Sequence, residues 1–120
     1  MPIIDVHFAG SLPSEADAQE LAARLADALG DALAQPPGRL WLRLHPLPHY
    51  AENGGLPAGA APVFVTVLHA TPPAGEALRA EIAALTAAVA AVAGRPRERV
   101  HVEYAPAGAG RIAFGGRLVE

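Results

Sequence analysis

Apolar and polar positions along this chain follow two rhythms, and the pair of rhythms comes round twice. PIIDVHF and PVFVTVL are short runs of strand composition, and LWLRLH and VHVEY alternate apolar with polar residues as half-buried strands do. Between the members of each pair lies a helical stretch of about twenty residues. In the first, Leu21, Leu25, Leu29 and Leu33 recur at i, i+4 and form one apolar stripe, while Glu15, Asp17, Glu20, Arg24, Asp27 and Asp31 lie mostly off it. Ser14 stands where it can cap this helix, with Asp17 three residues on. In the second stretch Leu78, Ile82, Leu85, Val89 and Val92 do the same work among alanines. That alanine-rich outer face suits either a covering neighbour or simply a good helix former.

The letters repeat as well as the periods. At an offset of 60, Pro2 falls on Pro62, Pro13 on Pro73, Leu25 on Leu85, Pro36 on Pro96, Arg39 on Arg99 and Pro46 on Pro106. The first unit closes with HYAENGG at Gly54 and Gly55; the second closes with RIAFGG at Gly115 and Gly116, where the offset has become 61. Each half therefore reads as a β-α-β unit, which makes a parallel strand pair with a right-handed helical crossover. The expected architecture is α+β: one domain over residues 1–120, built from pseudo-repeats 1–55 and 61–117 and joined by the loop 54–61. Its tandem units form a four-stranded mixed sheet with two helices on one face. The uncovered face of such a sheet normally finds a partner.

Composition narrows the function. The formal net charge is -3 with no block of like charge, so nothing holds a phosphate backbone and no nucleic-acid partner is expected. There is no cysteine, hence no disulfide framework and no thiolate chemistry. The start lacks a basic segment followed by an apolar core, and no apolar run approaches the ~20 residues of a membrane span. A cytoplasmic protein with no membrane partner is expected.

Pro2 is the position with the most chemistry in it. Proline suits the first residue of a strand because it offers no amide donor to the sheet. If Met1 is removed, however, the nitrogen of Pro2 becomes a secondary amine, which partial burial and nearby cations would keep neutral and basic. A base of that kind can move a proton between carbon and oxygen next to a carbonyl, with arginine donors holding a substrate carboxylate. His45 and His49 are separated by Pro46 and Pro48 and share no helix face, so no metal site is expected, nor any cofactor.

A β-α-β unit that begins at a penultimate proline and ends in a His-aromatic turn before Gly-Gly resembles 4-oxalocrotonate tautomerase. Two such units in one chain resemble the larger members of the tautomerase superfamily. The resemblance covers nearly the whole chain, and Pro2 is its most specific element. It implies a homotrimer with sheets lining the centre, helices outside and an active site around each amino-terminal proline near a subunit interface. Pro2 would be the catalytic base and acid. Tyr50 keeps the aromatic of the closing turn, with His49 before it, and Trp41 occupies the place of a family arginine, two residues from Arg43 on the same strand.

The family's arginines are only partly matched. AGSLPS has no basic residue where 4-oxalocrotonate tautomerase has one, and HATPP stands where the dehalogenases and the decarboxylase carry an arginine pair, which makes those activities improbable. The substrate implied is a small α-keto or enol carboxylic acid, bound by Arg43, Tyr50, Trp41 and His49. Arg43 has two readings: a donor to the substrate carboxylate, or an ion-pair partner of Glu103 in the matching strand. A second reading of the whole chain is a non-catalytic ferredoxin-like module that binds a ligand or partner, with Pro2 merely opening a strand.

Overall fold

The computed structural model describes residues 1–10, 15–55 and 61–120. The elements run β1 (Ile3–Ala9), α1 (Glu15–Ala32), β2 (Trp41–Leu47), β3 (Val63–Leu68), α2 (Gly75–Ala93), a 3-10 turn (Arg97–Arg99), β4 (Val100–Tyr104), and a short hairpin of β5 (Ala113–Phe114) and β6 (Arg117–Leu118). The proposed cap at Ser14 and most of the joining loop 54–61 lie outside the described residues.

The main sheet has the order β2-β1-β3-β4. Its outer pairs are parallel and its central pair is antiparallel, as two crossover units set side by side require. β1 turns Ile4, Val6 and Phe8 to the helices and β3 turns Val63, Val65 and Val67. Leu25, Leu29 and Leu33 of α1 and Leu85, Val89 and Ala90 of α2 close on them, so the core takes most of the first stripe and the middle of the second, while Leu78 and Ile82 are half-buried outside it. Full burial of side chains of this size stabilises by about 1.5–3 kcal/mol each.

The two units match down to their turns. Gln35 donates to the Gly30 carbonyl as Arg95 does to Ala90, and Arg39 donates to Pro36 as Arg99 does to Pro96. Gly94 ends α2 at φ 67, the left-handed region; at the corresponding place after α1 stands Ala34, at φ 51. The inner strands follow a different offset. Ile3 faces Trp41, whereas Phe64 faces His101, so β1 matches β3 at 61 although β2 matches β4 at 60. An odd offset is also what side-chain alternation demands, because even positions are buried in β1 and odd ones in β3. Pro62 is thus the counterpart of Met1, and Val63 that of Pro2, which corrects the pairing of the two prolines at offset 60.

The face away from the helices carries cross-strand rows. Trp41, Ile3 and Leu68 form an apolar row near the start of β1; Arg43, Asp5, Thr66 and Glu103 form a polar one; His45, His7, Phe64 and His101 form a third. The uncovered face is therefore apolar only at its Pro2 end and is imidazole-rich at the other. His7 and His45 stack there with centroids 4.6 Å apart.

Candidate active site at the head of the first strand

Pro2 opens the inner strand β1. Its ring is fully buried, and its carbonyl accepts a hydrogen bond from the Trp41 amide at 3.1 Å. Met1 is exposed and lies beside Arg39, whose Nη1 stands 3.9 Å from the methionine Sδ. The parallel register that sets Ile3 against Trp41 sets Met1 against Arg39. Removing Met1 would take away the residue beside that guanidinium and leave the Pro2 nitrogen as the terminal amine.

Trp41 borders this end of the sheet and stacks on Phe114 of the closing hairpin, centroids 4.5 Å apart. The second unit's closing segment is laid here by backbone bonds from Ala105 to Val67 and from Gly108 to His69. Gly108 suits that approach: a Cβ there would stand tightly at 3.0 Å from Ile112 Cδ1, 3.2 Å from Leu68 Cδ1 and 3.3 Å from the His69 carbonyl oxygen.

Arg43 is not beside Glu103. β2 and β4 are opposite edges of the sheet, so the two residues never meet, and Glu103 accepts from the Thr66 hydroxyl instead. The guanidinium of Arg43 is filled by Asp5 through two bonds of 2.7 Å, and His45 Nε2 lies 2.7 Å from the same carboxylate. Desolvation alone would raise the Asp5 pKa, but the hydrogen bonds and charges of Arg43 and His45 hold it below the usual carboxylate value. The expected partner of a substrate carboxylate thus already holds one.

Tyr50 and His49 are at the far end of the same sheet within the chain. The Tyr50 ring tilts against Phe64, which faces His7 near the end of β1, about 17 Å from Pro2 along the strand. Its hydroxyl donates to Glu52 at 2.5 Å, and Arg99 donates to the same carboxylate. The bonds from Arg99 and Tyr50 hold the Glu52 carboxyl below its ordinary value, and the carboxylate in turn pushes the Tyr50 phenol up. His49 is exposed on this turn. One chain therefore brings Pro2 together with Trp41 and leaves Tyr50 and His49 elsewhere.

Two groups escaped sequence reasoning. Arg39 stands beside Met1, and its signal was its match with Arg99 in the repeat. A buried cluster between α2 and the sheet joins His69 to Glu81 at 2.9 Å, with the Tyr104 hydroxyl donating to the same carboxylate. In the first unit the leucines Leu21 and Leu44 hold the places of Glu81 and Tyr104, so nothing in the repeat announced it. Among the described residues no set of three or more His, Asp or Glu converges as metal ligands do, and no helix is long and apolar enough to cross a membrane.

No family sequence model and no curated protein matches the chain. Solved structures do. A native fused 4-oxalocrotonate tautomerase (4-OT) superposes with a TM-score of 0.73 at 25% identity, over 98% of this chain and 95% of that one. A wild-type fused 4-OT solved as a symmetric trimer gives 0.69 at 26%, over 98% and 94%. A homologue of macrophage migration inhibitory factor from Prochlorococcus marinus gives 0.72 at 18%, over 98% and 99%. The tandem β-α-β construction with a penultimate proline at an inner strand defines the class. The chain belongs to the tautomerase superfamily, among its fused two-unit members.

Proposed function

We propose that the chain, once Met1 is removed, is a cofactor-independent tautomerase acting on a small α-keto or enol carboxylic acid, with Pro2 as general base and acid. The observation that carries this reading is the setting of Pro2: a single residue, Met1, separates a buried proline at the head of an inner strand from being a terminal secondary amine, and that residue lies beside Arg39. Burial and the cation both disfavour the protonated amine, which keeps the base available near neutral pH. In ketonisation the neutral nitrogen takes the enol hydroxyl proton, and the resulting ammonium delivers a proton to carbon. The reading includes assembly as a homotrimer through the open sheet face, supported by fused relatives solved as symmetric and asymmetric trimers. A further neighbour, 21% identical, was solved after inactivation by 2-oxo-3-pentynoate, which makes that 2-oxo acid a suitable probe.

The test combines mass and rate. Purified protein should lack Met1, should ketonise phenylenolpyruvate or 2-hydroxymuconate, and should become labelled at Pro2 by 2-oxo-3-pentynoate. Pro2→Ala should lower the rate by ~10² or more, the range for a positioned base. Retention of Met1, or a Pro2→Ala variant as active as the parent, would leave Pro2 as the start of a strand and nothing more.

A further inference from the structure

We infer that the buried network His69–Glu81–Tyr104 sets the basicity of the Pro2 amine: the Glu81 carboxylate, held in place by the other two side chains, is the counter-charge that stabilises the amine when it takes up a proton. That Pro2 is a terminal amine rests on the function proposed above; the network and its place in the fold do not.

The register puts the network beneath Pro2. Ile4 faces Val67 and Ile3 faces Leu68 across the antiparallel pair, so one residue further Pro2 faces His69. Ala9 donates to the Pro62 carbonyl, which makes the odd residues of β1 the hydrogen-bonded ones. Pro2 and His69 therefore belong to the closer, non-bonded set, with Cβ atoms about 5 Å apart. Both side chains turn to the helices: Pro2 is fully buried, and the buried His69 reaches Glu81 of α2.

A single oxygen of Glu81 takes both donors. His69 Nε2 lies 2.9 Å from Oε2, and the Tyr104 hydroxyl donates to the same atom. Two donors on one oxygen is the arrangement of an ionised carboxylate, which can only accept. Burial first, and then this carboxylate, hold the Tyr104 phenol above its ordinary pKa, so it brings no charge of its own near neutral pH. The Glu81 side chain is 16% exposed, the chain has no lysine, and among the described residues no arginine reaches it. A charge so placed is costly without an opposite one, and the Pro2 ammonium supplies it.

The duplication separates this role from packing. Inner strands match at an offset of 61 and the other elements at 60, so Phe8, Leu21 and Leu44 hold in the first unit the places of His69, Glu81 and Tyr104. Phe8 faces Val63, which stands where Pro2 stands at the other head. An apolar trio thus lies beneath the head whose backbone nitrogen is an amide, and a titratable trio beneath the head that becomes an amine. Apolar packing in place of a buried charge is commonly neutral or stabilising, so stability does not account for the exchange.

The other charges at this end are placed to act weakly. Arg39, Arg111, Arg117, Asp27 and Asp31 are exposed and screened by solvent, and on the open face Asp5 is engaged by Arg43 and His45. Burial pushes the amine's basicity down, and Glu81 limits the fall.

Protein beginning at Pro2 is labelled in proline and followed by nitrogen NMR as pH is varied. Every other proline nitrogen is an amide, so the resonance that titrates is that of Pro2. Glu81→Gln keeps the shape and the hydrogen bonds but removes the charge, and should lower the titration midpoint by roughly half a pH unit or more. The acid limb of kcat/KM should move to lower pH by the same amount. Asp31→Asn, which removes an exposed carboxylate, should leave the midpoint within about 0.1 unit. A triple variant, His69→Phe with Glu81→Leu and Tyr104→Leu, copies the apolar trio of the first unit; it should keep its denaturation midpoint while lowering the amine's titration midpoint at least as far. An unchanged titration midpoint in Glu81→Gln or in the triple variant would reduce the network to a structural one and overturn the inference. A raised midpoint would overturn it too, since the imidazole would then be holding the cation. The two readings fail separately: the expected shift in a protein without turnover overturns the tautomerase reading alone, and turnover with a midpoint indifferent to Glu81→Gln overturns this one alone.

Discussion

Replacing Arg43 with alanine separates a structural arginine from a substrate-binding one. The guanidinium makes two bonds of 2.7 Å to Asp5, and the side chain is 62% exposed against 19% for its partner. Solvent screens such a pair, so its loss should cost about 1 kcal/mol at most at neutral pH, less in high salt. A bond lost from a substrate carboxylate would instead remove about 2 kcal/mol of transition-state binding, roughly 30-fold in kcat/KM. Because Asp5 fills the fork, kcat/KM for an acidic substrate should change by no more than about twofold while the denaturation midpoint falls. The pH dependence follows from Asp5. Its pKa is depressed in the folded chain, so the pair's contribution is complete above the unfolded value of about 3.9 and is lost as pH falls through the folded value. Parent and Arg43→Ala should therefore differ in urea midpoint at pH 7 and converge in acid, at one protein concentration throughout. A 30-fold loss of kcat/KM with unchanged stability would refute the assignment.

Two further outcomes test the fold. Ala34→Gly should stabilise by up to about 1 kcal/mol and Gly94→Ala should destabilise by a similar amount, because both positions are left-handed and a Cβ at Gly94 would meet no atom within 4 Å. Denaturation midpoints that move in the same direction would contradict the matched caps. Tyr104 is held above its ordinary pKa first by burial and then by the Glu81 carboxylate, so its phenol should stay protonated in alkali until the chain unfolds. The contribution is complete below the unfolded value of about 10 and is lost as pH rises; ultraviolet titration showing both tyrosines ionising in the folded protein near pH 10 would contradict it.

What the sequence disclosed was whatever depends on local period. The stripes through Leu25, Leu29, Leu85 and Val89 and the alternation of β1 and β3 depend only on neighbours along the chain, and each became core. The parallel pairs followed from the length of the crossovers. Partners across the sheet did not follow. Placing Arg43 against Glu103 required β2 and β4 to be adjacent, but the antiparallel β1–β3 pair at the centre drives them to opposite edges. The resemblance put Tyr50 among the substrate-binding residues; within one chain a parallel crossover carries the end of β2 away from the start of β1, toward the head of β3. The one-residue change of offset was equally hidden, since the letters match best at 60 while only alternation of burial reveals 61 in the inner strands.

The two ends of the sheet show how duplication can divide labour. Each closing segment crosses to the head of the other unit's inner strand, so the first unit builds the surroundings of Pro62 and the second those of Pro2. Fusion makes these ends chemically unequal, because a free amine exists only where a chain begins. At the internal head every backbone nitrogen is an amide and can take up no proton near neutral pH, so an open cation there has no catalytic partner. Glu52 and Tyr50 close that arginine, and the result is a paired network between the units. On the proposed function, the same closure at the terminal head would cover the Pro2 nitrogen, the amine that this reading uses as its base. Alanine at position 113 and arginine at 111 stand there in place of the acid and the phenol. The sequence difference between the two closing turns thus follows the single chemical difference between the two strand heads.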